Sequence, residues 1–552
     1  MNTQEDRVYG IDEKYSKSVA YFSMEFGIAQ PLKIYSGGLG FLSGSHMRSV
    51  YDLGQNVVGV GILWSYGYYD QSRNEDGSMT VIYRRKRYSF LEDTGIMTSV
   101  NIHGVKTYIK AFKLKPEVFG SAPIYLLTTD IPENDYLGRT ITHKLYENHE
   151  ETRIAQETVL GIGGAKILEE VGIKPDIYHL NEGHAISVGF HLYNKLGSLE
   201  AVKEKMVFTT HTPEAAGNEE HDFDLLERMG FFDGLSIGQV KDICSMQDEG
   251  RFSLTLAALR FSKIANAVSK IHGLVSHDMW SKYHNICPIT SITNAQNKRY
   301  WADKPLQNYF EEHDFYGMLA RKKHLKRSLF GIVADQTGKM LDPEVLTIVW
   351  CRRFAEYKRP GLIKRNWSKF LELVTRHHQP IQMIWAGKPH PADVDGIRLF
   401  NEIVYATESL RNCAVLVGYE LGLSMRLKEG ADVWLNTPRI TREASGTSGM
   451  SAAMNGAINL SINDGWFAEF EKDNVNGFTL YQTGGKDKII EDEEDSFNLY
   501  KKLEDVVIPM YYEHPEKWIE MVRNSMYDIA PHFDSGRMAN EYYEKLYKYE
   551  AK

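Results

Sequence analysis

Cysteine is scarce in this chain, which has four in 552 residues. They are Cys244, Cys287, Cys351 and Cys413. Because they lie far apart and form no C-x-x-C pair, a zinc ribbon and a disulfide framework are excluded, and we expect buried thiols and no metal site. The sequence also lacks any window close to the ~18 uninterrupted apolar residues of a membrane span, and residues 1–14 lack a signal-peptide core. The expectation is a cytoplasmic protein without a membrane partner.

Positive charge is in deficit as well, with 64 Lys and Arg against 73 Asp and Glu and a formal net charge of −9. A general nucleic-acid binder needs a basic face, so that class is excluded. Hydrophobic residues make up 43% and charged residues 25%, which excludes wholesale disorder. At about 100 to 200 residues per domain, the length predicts two to four domains. Any phosphate that the protein binds must be held by local groups.

Short apolar runs flanked by turn residues recur along the chain, with helical segments between them. This pattern is typical of parallel strands joined by helical crossovers and predicts an α/β fold with two doubly wound, Rossmann-like units. Ligands of open parallel sheets bind beyond the carboxyl ends of the strands, so two facing units would enclose a site in a cleft. Strands are predicted at 18–26, 57–63, 124–128, 177–180 and 206–210, then at 346–350, 381–386, 414–417, 433–436 and 458–462, and a helix at 153–171.

The predicted domain organisation has four parts. Residues 1–296 form an N-terminal Rossmann-like domain, and residues 297–345 form a charged helical connection. Residues 346–485 form a C-terminal Rossmann-like domain, and residues 486–552 form helices that pack back on the N-terminal domain. The last part begins with an acidic run, Glu491 to Asp495, which we interpret as solvated surface.

A glycine-rich turn, Ser36-Gly37-Gly38-Leu39-Gly40, follows the first strand and precedes a helix expected near Phe41. Glycines let backbone N–H groups approach an anion, and a helix N-terminus favours negative charge. A tight strand-to-helix turn without a ligand explains the motif equally well. Gly161 to Gly164, by contrast, lie inside the predicted helix, where glycines typically allow close packing.

A basic segment, Cys351 to Pro360, follows the strand that ends at Trp350. It carries four cations before a helix expected near Pro360, and this arrangement suits a phosphate clamp. A solvated basic loop is the alternative, but the position at a strand carboxyl end favours function. The four cations are Arg352, Arg353, Lys358 and Arg359.

A small-residue segment from Arg442 to Gly456 leads into another helix. It supplies hydroxyls, backbone amides and the carboxylate of Glu443, a set that suits a sugar phosphate or serves only as a helix cap. Three weaker single sites are His184, His211 and Asn294. Each of these alone is typical of a hydrogen-bonded structural residue.

Taken in order, these motifs resemble those of the α-glucan (glycogen, starch and maltodextrin) phosphorylases, particularly the short bacterial type. The resemblance implies the GT-B architecture and retaining transfer of glucose at the non-reducing end of an α-1,4-glucan, in which glucan and phosphate give glucose 1-phosphate and the reverse. It also implies a homodimer at the family level only. The matching motifs are Tyr21–Phe26, Gly37–Gly40, Asp130–Asp135, His179–His184, Thr210–Pro213, Arg353–Arg359, Ala386–Lys388 and Glu443–Asn455, reaching to about Trp466.

The resemblance assigns roles to individual residues. His211 corresponds to the residue beside the anomeric carbon, while Arg352 and Thr447 correspond to groups around the cofactor phosphate. The substrate phosphate is assigned to the backbone of Gly37, Gly38 and Gly40 with Arg353 and Lys358. The clamp on the glucose hydroxyls is assigned to Asn294, Glu443, Ser445 and Gly446.

One position departs from the family pattern. Family members carry a lysine after the methionine of Gly-Thr-x-x-Met, and this lysine forms the Schiff base with pyridoxal phosphate, but here the residue is Ser451. A hydroxyl cannot form an imine. We therefore expect that pyridoxal phosphate is held non-covalently between Arg352 and Thr447, or that no cofactor is used.

Three functions remain open at this point. The first is a phosphorylase-type hexosyltransferase whose catalytic competence is in question. The second is a glucosyltransferase that takes glucose from a nucleotide sugar without pyridoxal phosphate, with Arg353 and Lys358 neutralising the leaving group. The third is a non-catalytic glucan-binding pseudoenzyme. A bound chromophore supports the first, nucleotide binding supports the second, and the absence of both supports the third.

Overall fold

The computed structural model describes residues 9–214, 217–247, 249–482 and 487–550. The chain divides into two compact units. Unit 1 is built from the described parts of Met1–Tyr68, Tyr83–Asn294 and Ser535–Lys552, and unit 2 from those of Tyr69–Ile82 and Ala295–Asp534. Within the described residues, no helix is both long and apolar enough to cross a membrane. All four cysteines are buried and unbridged, as the sequence predicted.

The strands are β1 Val19–Phe22, β2 Val57–Ile62, β3 Asp70–Arg73, β4 Met79–Ile82, β5 Glu92–Ile102, β6 Val105–Leu114, β7 Ile124–Thr128, β8 Ile177–Asn181, β9 Met206–Thr209, β10 Glu220–His221, β11 Phe252–Ser253, β12 Ile264–Ala267, β13 Ile289–Ser291, β14 Leu346–Cys351, β15 Ile381–Ala386, β16 Cys413–Leu416, β17 Val433–Asn436, β18 Ile458–Ile462 and β19 Phe478–Leu480.

The α-helices are α1 Gly38–Leu53, α2 Pro116–Phe119, α3 Tyr136–Thr140, α4 Glu150–Thr158, α5 Gly164–Glu170, α6 Ser187–Leu196, α7 Leu199–Lys203, α8 Phe223–Arg228, α9 Ile237–Ile243, α10 Leu254–Phe261, α11 Lys270–Trp280, α12 Lys298–Trp301, α13 Lys304–Glu311, α14 Phe315–Thr337, α15 Trp367–Thr375, α16 Val394–Thr407, α17 Leu421–Gly430, α18 Ser448–Ala453, α19 Phe467–Phe470, α20 Lys488–Lys502, α21 Ile508–Glu513, α22 Pro515–Phe533 and α23 Ser535–Glu541.

Unit 1 contains a nine-stranded sheet in the order β13-β12-β9-β8-β1-β2-β7-β6-β5. Seven strands are parallel, and β6 and β5 extend one edge as antiparallel partners. The five strands predicted here are all present, although β1 ends at Phe22 and not at residue 26. The sequence analysis missed β5 and β6, because β5 alternates exposed and half-buried residues and shows no apolar run.

Unit 2 contains a six-stranded parallel sheet in the order β16-β15-β14-β17-β18-β19. Each strand is buried along its whole length. Strands covered on both faces require continuous apolar runs, which is why the five predicted strands agree with the structure to within one residue. β14 lies at the centre, between β15 and β17, so the segment after Cys351 leaves the middle of the sheet. Together the two units confirm the predicted α/β class.

The structure divides the chain differently from the predicted domain ranges. Residues 69–82, the β3–β4 hairpin, belong to unit 2, where Gln71 Nε2 donates to the carbonyl of Gly387 at 3.0 Å. The helices of the predicted 297–345 connection are also part of unit 2, with α14 packed on α17. Of the C-terminal helices, α20 to α22 lie in unit 2 and only the residues after Asp534 join unit 1. The boundary predicted at 485–486 lies outside the described residues.

The glycines of the 161–164 segment lie inside a continuous helix, as predicted. α4 and α5 are joined by a π-helical turn, Val159–Gly163. A Cβ on Gly161 would lie 2.1 Å from Ser187 Oγ, and one on Gly164 would lie 2.7 Å from Val60 Cγ1. Because no side chain fits at these distances, the glycines permit close helix packing.

The acidic run 491–495 is not simply solvated surface, so that interpretation was wrong for Asp495, its buried member. Arg359 donates to the carbonyls of Thr437 and Pro438 at 2.9 and 3.0 Å and pairs with Asp495 at 2.7 Å. Asp495 is buried, and Asp492 also contacts Arg359 at 3.0 Å. Arg359 therefore binds helix α20 to the loop after β17 and serves the fold of unit 2.

Candidate functional site

Arg352 leaves the carboxyl end of β14 at the centre of the unit 2 sheet. Its backbone N–H donates to Ala386 O at 3.2 Å. A Cβ on Gly387 would lie 1.8 Å from the Arg352 carbonyl oxygen, and Gly387 has a φ of 141°. Only glycine fits there, so the Ala386-Gly387-Lys388 motif positions the start of the basic segment.

The structure brings together three residues that the sequence assigned to different roles. The side chains of Arg352 and Lys358 both bind Oε2 of Glu443, and all three are buried. Although burial alone raises a carboxyl pKa, the two cations hold the pKa of Glu443 at about 2. Glu443 is therefore an ionised counter-ion, and the trio keeps one net positive charge inside unit 2.

Two buried polar atoms, one in Arg352 itself and one in the loop that carries Glu443, have no hydrogen-bond partner among the described residues. They are Arg352 Nε and Ser445 Oγ. Arg352 Nη2 lies 3.5 Å from Ser448 Oγ at the start of α18. A guanidinium N–H, two hydroxyls and a net positive charge are the donor set that a phosphate ester requires. These residues therefore fit a phosphate group.

The other predicted residues of this segment follow in the same loop and helix. Gly446 adopts the left-handed region at a φ of 85° and packs against Glu443 and Arg352. Thr447 is the N-cap residue of α18 and is half-buried. Ser451 is fully buried, and its Oγ donates to Ser448 O at 3.2 Å. Residue 451 thus faces the protein interior and offers no amine.

Arg353 does not join the buried trio. Its side chain is exposed, and Nη2 lies 3.4 Å from the hydroxyl of Tyr357. The helix predicted near Pro360 begins instead at Trp367, where the Asn366 side chain caps it. The intervening loop is long enough to carry both an exposed and a buried cation.

The glycine-rich turn of unit 1 begins α1 at Gly38. The carboxylate of Glu25 accepts the backbone N–H groups of Ser36 and Gly37 at 2.6 and 3.2 Å. The amide of Gly37 is thus already used, and the first-turn amides from Gly38 to Gly40 are those that an anion would meet. Sequence analysis missed Glu25, although the Tyr21–Phe26 motif contains it.

Two glycines of this turn, Gly38 and Gly40, differ in the space available for a side chain. A Cβ on Gly40 would lie 2.6 Å from Glu25 Oε2 and 2.6 Å from Tyr35 Cβ, whereas a Cβ on Gly38 would meet nothing within 4 Å. We expect Gly40→Ala to lower the free energy of unfolding by about 1–3 kcal/mol, the range of overpacking. Gly38→Ala is the matched control and should change it by less than about 0.5 kcal/mol. Urea unfolding of both variants measures this, and equal stabilities would contradict the packing role.

His211 follows β9 in unit 1 and is held as a neutral ring. Its Nε2 bonds Asn181 Oδ1 at 2.7 Å, and its backbone N–H donates to Glu182 Oε2 at 2.8 Å. Asn181 is oriented by its own amide, which donates to Ser23 Oγ at 3.1 Å. Nε2 is then the protonated ring nitrogen, so Nδ1 is an acceptor. Burial lowers the pKa of His211 to about 3, with smaller effects from His272 and His184.

We expect the His211 ring to stay uncharged from pH 8 to pH 5, whereas His221 keeps its proton to a higher pH than an ordinary histidine. His221 lies between Glu150 at 2.8 Å and Glu219 at 3.3 Å, and these carboxylates raise its pKa despite burial. NMR shifts of labelled histidine ring nitrogens, assigned by single His→Gln variants, measure both. Because its folded pKa is the lower one, His211 makes stability decrease as pH falls from about 6.5 towards 3. A His211 midpoint near pH 6.5 would contradict the assigned environment.

Asn294 is the last residue of the Tyr83–Asn294 segment of unit 1. Its backbone N–H donates to Val268 O at 3.0 Å, and its side-chain Oδ1 is buried without a partner among the described residues. An unpartnered buried amide oxygen can accept a hydrogen bond from a sugar hydroxyl.

Asp464 is a further buried group that the sequence analysis did not select. It accepts the backbone N–H of Glu443 at 3.1 Å and that of Gly465 at 2.8 Å. Burial raises the pKa of Asp464 to about 7, and the nearby Glu443 charge acts in the same direction. Only the Asp-Gly-Trp triplet after β18 could have drawn attention to it.

One group of side chains in unit 1 has the composition of a metal site. Ligand atoms of Glu157, Glu219 and His221 lie within 4.8 Å of one another. Arg153 contacts both carboxylates, at 3.5 Å for Glu157 and 3.0 Å for Glu219. A guanidinium thus already supplies the positive charge there, and we assign no metal to this group.

Comparison with known proteins agrees with the two-unit organisation. A carbohydrate phosphorylase family model matches residues 289–496, and a starch synthase catalytic domain model matches residues 19–273. An uncharacterized protein of Methanocaldococcus jannaschii is 47% identical over 534 residues, which are 96% of this chain and 100% of that protein. These matches, with the two parallel α/β sheets, show the GT-B fold.

Two further relatives carry functional names. The maltodextrin phosphorylase of Thermococcus litoralis is 33% identical over 599 residues, covering 97% of this chain and 71% of that protein. The glycogen phosphorylase of Aquifex aeolicus is 30% identical over 609 residues, covering 97% of this chain and 87% of that protein. The similarity therefore extends over nearly the whole chain.

Proposed function

Because the chain belongs to the glycogen and maltodextrin phosphorylase family, we propose that it transfers glucose between the non-reducing end of an α-1,4-glucan and phosphate. Glucose 1-phosphate is the product of the forward reaction and the donor of the reverse one. The observation that carries the proposal is the buried Arg352, Lys358 and Glu443 trio, with its net positive charge beside unpartnered Arg352 Nε and Ser445 Oγ.

In unit 2 the substrate phosphate is proposed to bind Arg353, and in unit 1 the amides that begin at Gly38 are proposed as anion-binding groups. Arg353 is exposed and can reach an anion in solution, while Lys358 is buried and neutralised in part by Glu443. Charge that develops on a leaving phosphate is stabilised by cations beside it, and the charge of Lys358 is already used in part by Glu443. We therefore assign the larger effect on turnover to Arg353.

Within each unit taken by itself, buried polar groups are proposed to bind sugar hydroxyls. The amide oxygen of Asn294 and the hydroxyl of Ser445 are buried and unpartnered among the described residues. The neutral ring of His211 offers Nδ1 as an acceptor for a sugar hydroxyl. Because Glu443 is occupied by two cations, we propose that it orients Arg352 and Lys358 more than it clamps the sugar.

Pyridoxal phosphate is the cofactor of the family resemblance, and when bound it supplies a phosphate group that can share a proton with the substrate phosphate near neutral pH. In this chain Arg352, Thr447 and Ser448 would hold that phosphate group. Their donor set fits it, since Arg352 presents an unpartnered buried Nε. Ser451 contributes no attachment to the cofactor.

A second candidate is transfer from a nucleotide sugar. Two observations favour it: Ser451 removes the family lysine, and unit 1 matches the starch synthase catalytic domain over residues 19–273. In that reaction Arg353 and Lys358 would neutralise the leaving nucleotide, and no pyridoxal phosphate is needed.

The test is incubation of the purified protein with maltoheptaose and one donor or acceptor at a time, with chain lengths read by mass spectrometry. Shortening with phosphate and lengthening with glucose 1-phosphate support phosphorolysis. Lengthening only with ADP-glucose or UDP-glucose would transfer the proposal to the second candidate. Maltoheptaose binding without any change in length would identify a glucan-binding pseudoenzyme and overturn both.

A further inference from the structure

The last described segment of the chain packs into the interior of unit 1. The residues after Asp534 belong to that unit, and they include three buried tyrosines, Tyr542, Tyr543 and Tyr547. The main-chain oxygen of Tyr547 accepts the amines of Lys17 and Lys263 at 3.0 and 3.3 Å. Two segments of unit 1 that are distant in sequence therefore fix the position of Tyr547.

The hydroxyl of Tyr547 contacts a buried histidine of strand β8. It lies 2.8 Å from His179 Nδ1, and the other ring nitrogen, Nε2, lies 2.7 Å from Thr209 Oγ1 on strand β9. The rings of Tyr542 and Tyr547 also pack edge-on against the imidazole, with centroid distances of 5.1 and 5.6 Å. His179 thus links the C-terminal segment to β9.

The direction of these hydrogen bonds follows from their last acceptor. Thr209 Oγ1 donates its only hydrogen to Asn266 Oδ1 at 2.7 Å, and the amide nitrogen of Asn266 donates to Ala267 O at 3.1 Å. An amide oxygen can only accept, so Thr209 must accept a hydrogen from His179. Nε2 of His179 is then the protonated nitrogen, and Nδ1 accepts the hydroxyl hydrogen of Tyr547. Burial lowers the pKa of His179 well below its usual value, in agreement with a neutral ring.

This chain of hydrogen bonds leads to the turn that carries His211. Asn266 O accepts the backbone N–H of Thr210 at 3.0 Å, and Thr209 O accepts that of Glu182 at 2.9 Å. Glu182 Oε2 in turn accepts the backbone N–H of His211 at 2.8 Å. Side-chain and main-chain atoms of Thr209 are therefore both bound, two residues before His211.

His179 is also related to His211 through strand β8. Asn181, whose Oδ1 lies 2.7 Å from His211 Nε2, follows His179 by two residues. Side chains two residues apart along a strand point to the same face. The two imidazoles are close enough for a charge on His211 to disfavour a charge on His179. The contact made by Tyr547 is thus connected with His211 through β8 as well as through β9.

We propose that Tyr547 is a positioning residue for His211, so that the C-terminal segment of unit 1 is required for efficient glucosyl transfer. This inference rests on the proposed function, in which the neutral His211 ring offers Nδ1 to a sugar hydroxyl. Tyr547 acts through His179 and Thr209. By donating to His179 Nδ1 it holds the tautomer that binds Thr209, and the turn after β9 then keeps one conformation.

The experiment compares Tyr547→Phe with Tyr543→Phe in the full-length protein. Tyr543 is the matched control, because it is buried in the same segment and its hydroxyl accepts the backbone N–H of Lys17 at 3.1 Å, a residue of neither β8 nor β9. Each change removes one buried hydroxyl, so both melting temperatures should fall by similar amounts. Only Tyr547→Phe should move the ring ¹⁵N resonances of His179, whose Nδ1 loses its donor, and those of His211.

Enzyme kinetics provide the second measurement. We expect kcat for phosphorolysis of maltoheptaose to fall about tenfold in Tyr547→Phe, since misplacing a group beside the reacting atoms by ~1 Å costs up to about a hundredfold. The KM for maltoheptaose should stay within about a factor of two of the wild-type value, as for an interaction made in the transition state. Tyr543→Phe should keep the wild-type kcat.

The outcomes separate this inference from the proposed function. Shifted His211 resonances and a reduced kcat in Tyr547→Phe alone would support the role of Tyr547. Unchanged His211 resonances, an unchanged kcat, or an equal loss of kcat in Tyr543→Phe would overturn that role and leave phosphorolysis by the wild type intact. If the wild-type protein neither shortens nor lengthens maltoheptaose, the proposed function fails, and the NMR comparison then decides by itself whether Tyr547 positions the His211 ring.

Discussion

Arg353→Ala is expected to reduce turnover by roughly a hundredfold to a thousandfold, the usual effect of removing one preorganised group that stabilises developing charge. Arg353 follows Arg352 at the carboxyl end of the central strand, and its side chain is exposed. An exposed cation contributes little to stability, so the free energy of unfolding should change by less than about 0.5 kcal/mol. Initial rates of glucose 1-phosphate formation from maltoheptaose and phosphate measure the first effect, and urea unfolding measures the second.

Arg365→Ala is the matched control for this experiment. Arg365 lies in the same connection between β14 and α15, is 36% exposed, and forms a long ion pair of 3.4 Å with Asp492. It has no assigned role in catalysis, so its loss should leave the rate unchanged. Equal rates for wild type and Arg353→Ala would remove Arg353 from the site.

Glu443→Gln is expected to lower the free energy of unfolding at pH 7 by about 3 kcal/mol. The pKa of Glu443 is lowered from 4.5 to about 2 by Arg352 and Lys358, and each pKa unit corresponds to about 1.4 kcal/mol. The glutamine keeps the shape but leaves two buried cations without their counter-ion, a change that is typically worth about 3–5 kcal/mol. Denaturant unfolding measures the loss, and kcat/KM should fall as well because both cations lose their orientation.

The pH dependence gives an independent check of the same contact. Because the folded pKa of Glu443 lies below its unfolded value, its contribution is fully present above about pH 4.5 and is lost as pH falls towards 2. The difference between wild type and Glu443→Gln should therefore shrink over that range. Phosphate should raise the melting temperature of the variant more than that of wild type, since an anion can replace the missing charge.

Glu356→Gln serves as the control for Glu443→Gln. Glu356 lies in the same basic segment, but its ion pair with Lys488 is exposed on both sides. Exposed pairs contribute about 0–1 kcal/mol. If the two variants were equally stable, Glu443 would not be the counter-ion of a buried pair.

The central strands of unit 2 could be predicted from sequence almost residue by residue. β15, β17 and β18 have their predicted bounds, and β14 extends one residue further, to Cys351. A strand buried on both faces must be apolar throughout, and this requirement is visible in the sequence. The β3–β4 hairpin could not be predicted in the same way, because its contacts with unit 2 are hydrogen bonds of polar side chains such as Gln71.

The roles of neighbouring charged residues were less accessible to sequence analysis. Lys358 and Arg359 are adjacent, but Lys358 binds Glu443 while Arg359 binds the acidic residues of α20. Sequence analysis predicted one clamp for all four cations and a solvated acidic run. Consecutive side chains of an irregular loop point in different directions, and their partners lie about 80 to 140 residues further along the chain.

The sequence by itself determined the α/β class, the order of the family motifs and the presence of Ser451 where the resemblance implies a lysine, because these depend on residue type and local spacing. Only the tertiary structure decided that Glu443 neutralises two cations, that Glu25 occupies the amide of Gly37, and that Tyr547 binds the His179 ring. Ionisation and hydrogen bonding depend on burial and on partners from distant segments. Those partners meet only when the chain is folded.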